Sequence, residues 1–303
     1  MFRHRTLRAC LELIRPPNTL TAFADVLAGA AVAGGFAVSF AEGTAVATGT
    51  LGWLLAASAC LYAGGITFND VCDAGLDARE RPERPIPSGR ISRRGAALWG
   101  GGLLTGGIAL AATAGGASAW IAAGIAGGAL LYNARAKHHA LAGPVVMGAC
   151  RGGNLLLGIS SSPALLAPWW PLALLPVPYI AAVTTLSRGE VHGGGHRSGT
   201  VSLALLLAVM AVPPILAAAS EHYRILDALP FLLLLAALVV PPVLGALRDP
   251  APSNIGKAVK AGVLSLIVLN AALAAGFAGW QTGLVVLTLL PVSRLLARRF
   301  AVT

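Results

Sequence analysis

Residues 69–92 read NDVCDAGLDARERPERPIPSGRIS, with three aspartates, two glutamates and four arginines in one short run. The rest of the chain resists charge: of 303 residues, 56% are hydrophobic and only 11% charged, and the mean hydropathy is +0.75. Soluble domains carry about 25% charged residues, so the composition predicts a polytopic membrane protein. In lipid every backbone polar group must be bonded internally, which makes the expected class an all-α helix bundle. The 37 glycines and the many alanines suit helices that approach closely through small residues. Cys10, Cys60, Cys72 and Cys150 form no CxxC pair and read as reduced small hydrophobes.

On both sides of this stretch, apolar windows able to cross about 30 Å of hydrocarbon lie at 19–39, 46–68, 96–115, 117–133, 140–160, 164–186, 201–219, 227–247, 257–277 and 281–297. The basic start, MFRHRTLRACLELIRPPNTL, lacks a small-residue cleavage site and reads as a cytoplasmic lead-in helix. Lys and Arg collect in short cytoplasmic loops. With the N-terminus inside, all of the 22 Lys and Arg except Arg151, within a span, and Arg224, in an outer loop, fall on the inner side. This pattern predicts an even span count, both termini cytoplasmic, and a multi-pass protein of the cell inner membrane. The net charge of +10 then follows from topology and attraction to anionic lipid, and no soluble basic domain is left to bind nucleic acid.

Asp70, Asp73 and Asp77 stand at i, i+3 and i+7, so a helix continuing out of the second window places all three on one face, with Asn69 four residues before Asp73. Three carboxylates on one stripe repel unless a hard cation such as Mg²⁺ takes their oxygens. Mg²⁺ favours one or two carboxylates together with substrate phosphates, and the arginines that follow suit the same phosphates. The alternative is a membrane-surface loop whose opposite charges neutralise one another.

The stretch resembles the first aspartate-rich signature of the UbiA superfamily of intramembrane prenyltransferases, an Asn-Asp-x-x-Asp-x-x-x-Asp run followed by Arg-Pro and a Pro-x-x-Gly turn. The resemblance implies a single UbiA-like transmembrane domain over 1–303, with a nine-helix core around a lipid-open cavity and a tenth span as an addition. It implies Mg²⁺ held by Asn69, Asp70, Asp73 and Asp77 against an isoprenyl diphosphate, with Asp70, Asp73 and Asp77 as the catalytic carboxylates and Arg81 and Arg84 on the diphosphate. RPPNTLTAFAD, from Arg15, resembles the opening of the first helix and puts Asn18 near the cavity. YNARAKHH and GNLLLG resemble family elements that supply Tyr132, Lys137 and Asn154.

The family's second motif, Lys-Asp-x-x-Asp-x-x-x-Asp-Arg-x-x-Gly-x-x-Thr, is replaced by SRGEVHGGGHRSGTVS from Ser187. Arg188 stands for the Lys, and Gly189, His192 and His196 for the aspartates, leaving Glu190 as the acid. Imidazole is a poor Mg²⁺ ligand. His192 and His196 could hold a softer metal, bind phosphate or act as base, or be solvated loop residues. This departure, with KHHALAGPVVMGACRGGNLLLG and SRGEVHGG, resembles the EboC-like branch, linked to bacterial clusters of secondary metabolism and so to partner proteins of a biosynthetic or export cluster.

Ionisable groups inside spans are costly and usually face a cavity or each other. Asp25 shares a helical face with Asn18, while Met147, Arg151 and Asn154 share a face of the fifth window. Two arrangements follow: an Asp25 to Arg151 ion pair across the bundle, or Arg151 and Asn154 lining the substrate cavity. Trp169, Trp170 and Trp280 fall at outer interfaces as an aromatic belt. The leading expectation is transfer of an isoprenyl group from isoprenyl diphosphate to a lipophilic, aromatic or other acceptor. The competing one is non-catalytic binding or translocation of a lipophilic precursor.

Overall fold

The structure is a computed structural model that describes residues 9–189, 193 and 195–298. His192, Glu190 and the first eight residues therefore lie outside the described residues. A short helical lead-in over 9–14 precedes α1 (Pro16–Val32). There follow α2 (Leu51–Glu80), α3 (Arg93–Ala112), α4 (Gly116–Ala134), α5 (Ala142–Ile159), α6 (Pro176–Ser187), α7 (His196–Ala219), α8 (Ile225–Arg248) and α9 (Pro252–Ala278). Irregular helical turns over 163–174 lead into α6, and the last apolar window becomes α10 (Trp280–Leu287) and α11 (Leu289–Leu296), divided at Thr288.

Each apolar window contains helix, yet among the described residues six helical segments are long and apolar enough to cross a membrane: α2, α3, 163–187, α7, α8 and α9. The remaining windows fall short of that length or hydropathy for physical reasons. The window 19–39 stops as helix at Val32, because Gly34 at φ +67 turns the chain, and Phe36–Ser39 pairs antiparallel with Thr44–Ala47 as strands β1 and β2. In α4 and α5 the polar residues Asn133, Arg151 and Asn154 dilute the apolar face, and all three turn inward. The hairpin is a small addition to an otherwise helical bundle.

Burial separates the interior helix from the lipid-facing ones. In α9, 78% of the most apolar window is buried, against 22% in α7 and 28% in α8, so α9 forms the centre and α7 and α8 present Leu and Ile outward. The crossing of α1 and α5 is a backbone contact. A Cβ on Gly29 would lie 2.0 Å from the Leu155 carbonyl oxygen, and one on Gly158 2.1 Å from that of Val26. Glycine at both positions is what lets the two helices touch.

The two ends of the bundle differ in charge. One end joins the chain start, the α2 terminus and the loops after α4 and α6 through Arg90 to Glu12, Arg15 to Asp70, Lys137 to Asp73, and Arg188 to the Ala140 carbonyl. The other end carries the hairpin, whose Val38 N–H donates to Thr282 Oγ1 at 2.9 Å, and an aromatic cluster of Trp169, Tyr223 and Phe277. Trp170 and Trp280 are exposed there. Arg224 is the basic residue of that end, paired with Asp227.

Candidate functional site

Helix α2 continues unbroken to Glu80, so the stripe expected from the spacing forms: Asp70 and Asp77 are buried and Asp73 is half-buried. Each carboxylate is met by a cation from another part of the chain. Arg15, just before α1, donates to Asp70 Oδ1 at 3.0 Å. Arg84, beyond the end of α2, reaches Asp77 at 2.8 and 3.0 Å and lies 3.5 Å from Asp70. Lys137, on a 3₁₀ turn after α4, engages Asp73. Arg15 adopts φ 44, the positive value among described non-glycine residues, where the chain turns into Pro16. Charge-assisted bonds of this kind are stronger than neutral ones, and together they latch the ends of three elements over the acidic stripe.

Beneath this latch opens a cavity of about 390 Å³ walled by α1, α2, α4, α5, α6 and α9. Arg15, Asn18, Asn69, Tyr132 and Asn133 line its polar parts, and Leu61, Ile125, Ala129, Val183 and Val263 its apolar wall. Asn133 is anchored by its amide to the Gly65 carbonyl at 2.8 Å. Met147, Arg151 and Asn154 line the cavity together, as their shared helical face requires. The foreseen ion pair forms, with Arg151 Nη1 3.2 Å from Asp25 Oδ2, and the same side chain lines this cavity. Asp25 accepts a second contact from Asn270 of α9 at 2.7 Å, and Ser58 donates to Asn154 at 3.0 Å.

The second-motif residues behave differently. Arg188 is exposed and donates to the Ala140 carbonyl at 2.7 Å, on the loop that carries Lys137. His196 is exposed at the start of α7, and Arg81 is exposed at the end of α2. Neither His196 nor Arg81 lines the cavity. Arg15, which lines it, and Asn270, which holds Asp25, were not singled out from sequence. Arg15 had a local signal, a cation one residue before a Pro-Pro helix start; Asn270 had none.

The donor chemistry of the acidic stripe fits Mg²⁺: hard oxygens from Asp70, Asp73 and Asp77, with the Asn69 amide on the cavity wall. Among the described residues no three carboxylate, His or Cys groups converge on one point; Arg15, Arg84 and Lys137 occupy the aspartate oxygens instead.

An acidic stripe latched by cations, at the mouth of an apolar cavity inside a bundle of membrane helices, defines an intramembrane protein built to hold a molecule with a charged head and a lipophilic body. The chain belongs to the UbiA prenyltransferase family, whose model matches residues 26–247. It is 34% identical over 227 residues to the digeranylgeranylglyceryl phosphate synthase of Halobacterium salinarum, covering 71% of this chain and 77% of the relative. The synthase of that name from Ignicoccus hospitalis is 31% identical over 210 residues, 66% of this chain and 64% of its own. In fold the chain is similar to a solved digeranylgeranylglyceryl phosphate synthase at TM-score 0.65 and 20% identity, over 91% of this chain and 99% of that one. It also resembles a UbiA homologue from Archaeoglobus fulgidus bound to GPP and Mg²⁺, at TM-score 0.61 and 17% identity, over 92% and 99%.

Proposed function

We propose that this membrane protein of the UbiA family transfers an isoprenyl group from an isoprenyl diphosphate to a lipophilic acceptor. The observation that supports this most is the placing of Asp70, Asp73 and Asp77, each neutralised by Arg84, Arg15 or Lys137, beside the apolar cavity. The isoprenyl tail lies along the apolar wall and the diphosphate at the latch. Asp70, Asp73 and Asp77 with Asn69 would hold Mg²⁺, which when bound would supply electrostatic stabilisation of the departing diphosphate. Arg15, Arg84 and Lys137 exchange a carboxylate partner for a phosphate oxygen, which keeps the head neutral as charge develops. The allylic carbon–oxygen bond breaks, diphosphate leaves, and the acceptor bonds to that carbon and loses a proton. Tyr132 and Asn18 line the cavity beside the reacting end, and Arg188 steadies the loop of Lys137.

The names of the relatives support an acceptor of glycerophosphate type. The stretches SRGEVHGG and KHHALAGPVVMGACRGGNLLLG support the EboC-like branch and an acceptor from secondary metabolism instead. The basic end supports a cytoplasmic mouth and N-terminus in an inner membrane. Loss of the second acidic motif favours single-metal chemistry, and it also favours a second reading in which the cavity only binds or translocates a lipophilic precursor. Purified protein in nanodiscs with Mg²⁺ and labelled isoprenyl diphosphates separates the two. Diphosphate release by the wild type that is lost in Asp73→Ala supports transfer; tight binding without release at any acceptor supports translocation.

A further inference from the structure

We infer that Arg151, with Asn154, recognises a neutral oxygen-bearing group of the acceptor, such as a phenol hydroxyl or a carbonyl, at the inner wall of the cavity. The inference rests on reading the cavity as the site of transfer and names the class of acceptor. The Arg151 side chain is only 6% exposed, and its Nε, Nη1 and Nη2 are all buried without a hydrogen bond among the described residues. A buried guanidinium that makes none of its five hydrogen bonds carries a desolvation penalty that a ligand oxygen would relieve.

Its charge, by contrast, is already balanced. Asp25 Oδ2 lies 3.2 Å from Nη1, too poorly aligned to satisfy it as a hydrogen bond yet near enough to neutralise it, and Asn270 fixes Asp25 from the other side at 2.7 Å. The Tyr62 ring, 5.9 Å from Arg151 Cζ, adds a cation–π contact that holds the guanidinium at the wall. A carboxylate or phosphate brought here would leave one uncompensated negative charge in a low-dielectric interior. A neutral oxygen accepts the free N–H groups without disturbing the balance. The charged mouth at Arg15 and Asn69 is then reserved for the diphosphate, and the inner wall for an uncharged polar group on a lipophilic body.

The test is equilibrium dialysis of nanodisc-embedded protein against 4-pentylphenol, pentylbenzene and 4-pentylbenzoate, with empty nanodiscs of the same lipid subtracting partition. The phenol is expected to bind about tenfold more tightly than pentylbenzene, the worth of one hydrogen bond to a charged donor. In Asp25→Asn/Arg151→Met, which leaves no unpaired buried charge, the ratio falls to about one. Asp25→Asn alone leaves the guanidinium unneutralised and shifts preference toward the benzoate by about tenfold. Arg151→Lys keeps the charge but loses the fork, and its phenol preference weakens, so the idea stays testable if the double variant does not fold. Retention of the phenol preference in a folded double variant, or tighter wild-type binding of the benzoate than the phenol, overturns the inference. If the phenol preference holds while no isoprenyl diphosphate binds, the transferase reading falls and the recognition role of Arg151 stands.

Discussion

Arg84 is the cation that the acidic stripe depends on most, since it meets Asp77 through two bonds of 2.8 and 3.0 Å and sits 3.5 Å from Asp70. Its side chain is 16% exposed and both carboxylates are 6% exposed, so solvent screens the cluster little. Removing one partner of a buried pair costs about 3–5 kcal/mol, and because Arg84 is partly wet we take the lower end, about 3 kcal/mol, for Arg84→Met. The loss arises because, among the described residues, Asp70 keeps Arg15 as its cation and Asp77 keeps none. A divalent ion would replace the lost charge, and at a hundredfold excess over its Kd binding restores about 2.7 kcal/mol. The assay is thermal unfolding in detergent across a Mg²⁺ titration. Arg84→Met is expected to melt several degrees lower without Mg²⁺ and to recover most of the difference with it, whereas Arg84→Met/Asp77→Asn recovers less. If Arg84→Met melts with the wild type, or if Mg²⁺ restores nothing, then neither the latch nor the metal site works as described.

Other expectations follow from particular contacts. Gly158→Ala forces α1 and α5 apart, because the new Cβ would sit 2.1 Å from the Val26 carbonyl, and should cost about 1–3 kcal/mol in thermal unfolding; Gly124→Ala, with nothing within 4 Å, should be neutral or slightly stabilising. Lys137→Met should weaken geranyl diphosphate binding about tenfold, a charge-assisted contact, while exposed Arg81→Ala changes it far less, as read by equilibrium dialysis. His196→Ala should leave the Mg²⁺ dependence of diphosphate binding unchanged, since this exposed side chain stands at the start of α7 and off the cavity wall; a changed metal preference would return it to the ligand set.

Much of the fold was legible because membrane helices announce themselves by local composition. The i, i+3, i+7 spacing of Asp70, Asp73 and Asp77 carried α2 past the apolar window to Glu80, and the shared face of Met147, Arg151 and Asn154 placed all three on one wall. The hairpin was missed because FAVS is as apolar as the helix before it, and the break depends on the positive φ of Gly34. At the site, the aspartates and Lys137 were legible as residues but their pairing was not. Arg15 meets Asp70 across 55 positions and Asn270 meets Asp25 across 245, contacts that only the packed bundle creates. The exposure of Arg81 and His196 was likewise invisible, since a charged residue near a motif reads the same whether it faces the cavity or water.

If the latched aspartates support bond transfer and not binding alone, the prenyl label must leave its diphosphate. The decisive measurement incubates the nanodisc-embedded protein with labelled geranylgeranyl diphosphate, Mg²⁺ and a lipid extract as acceptor source, then follows the label. The label is expected to move into a new lipid-soluble product with an equal yield of free diphosphate, and Asp73→Ala is expected to form neither. Recovery of the labelled diphosphate intact from protein that has bound it, with every acceptor fraction, would mean that the site binds without transferring.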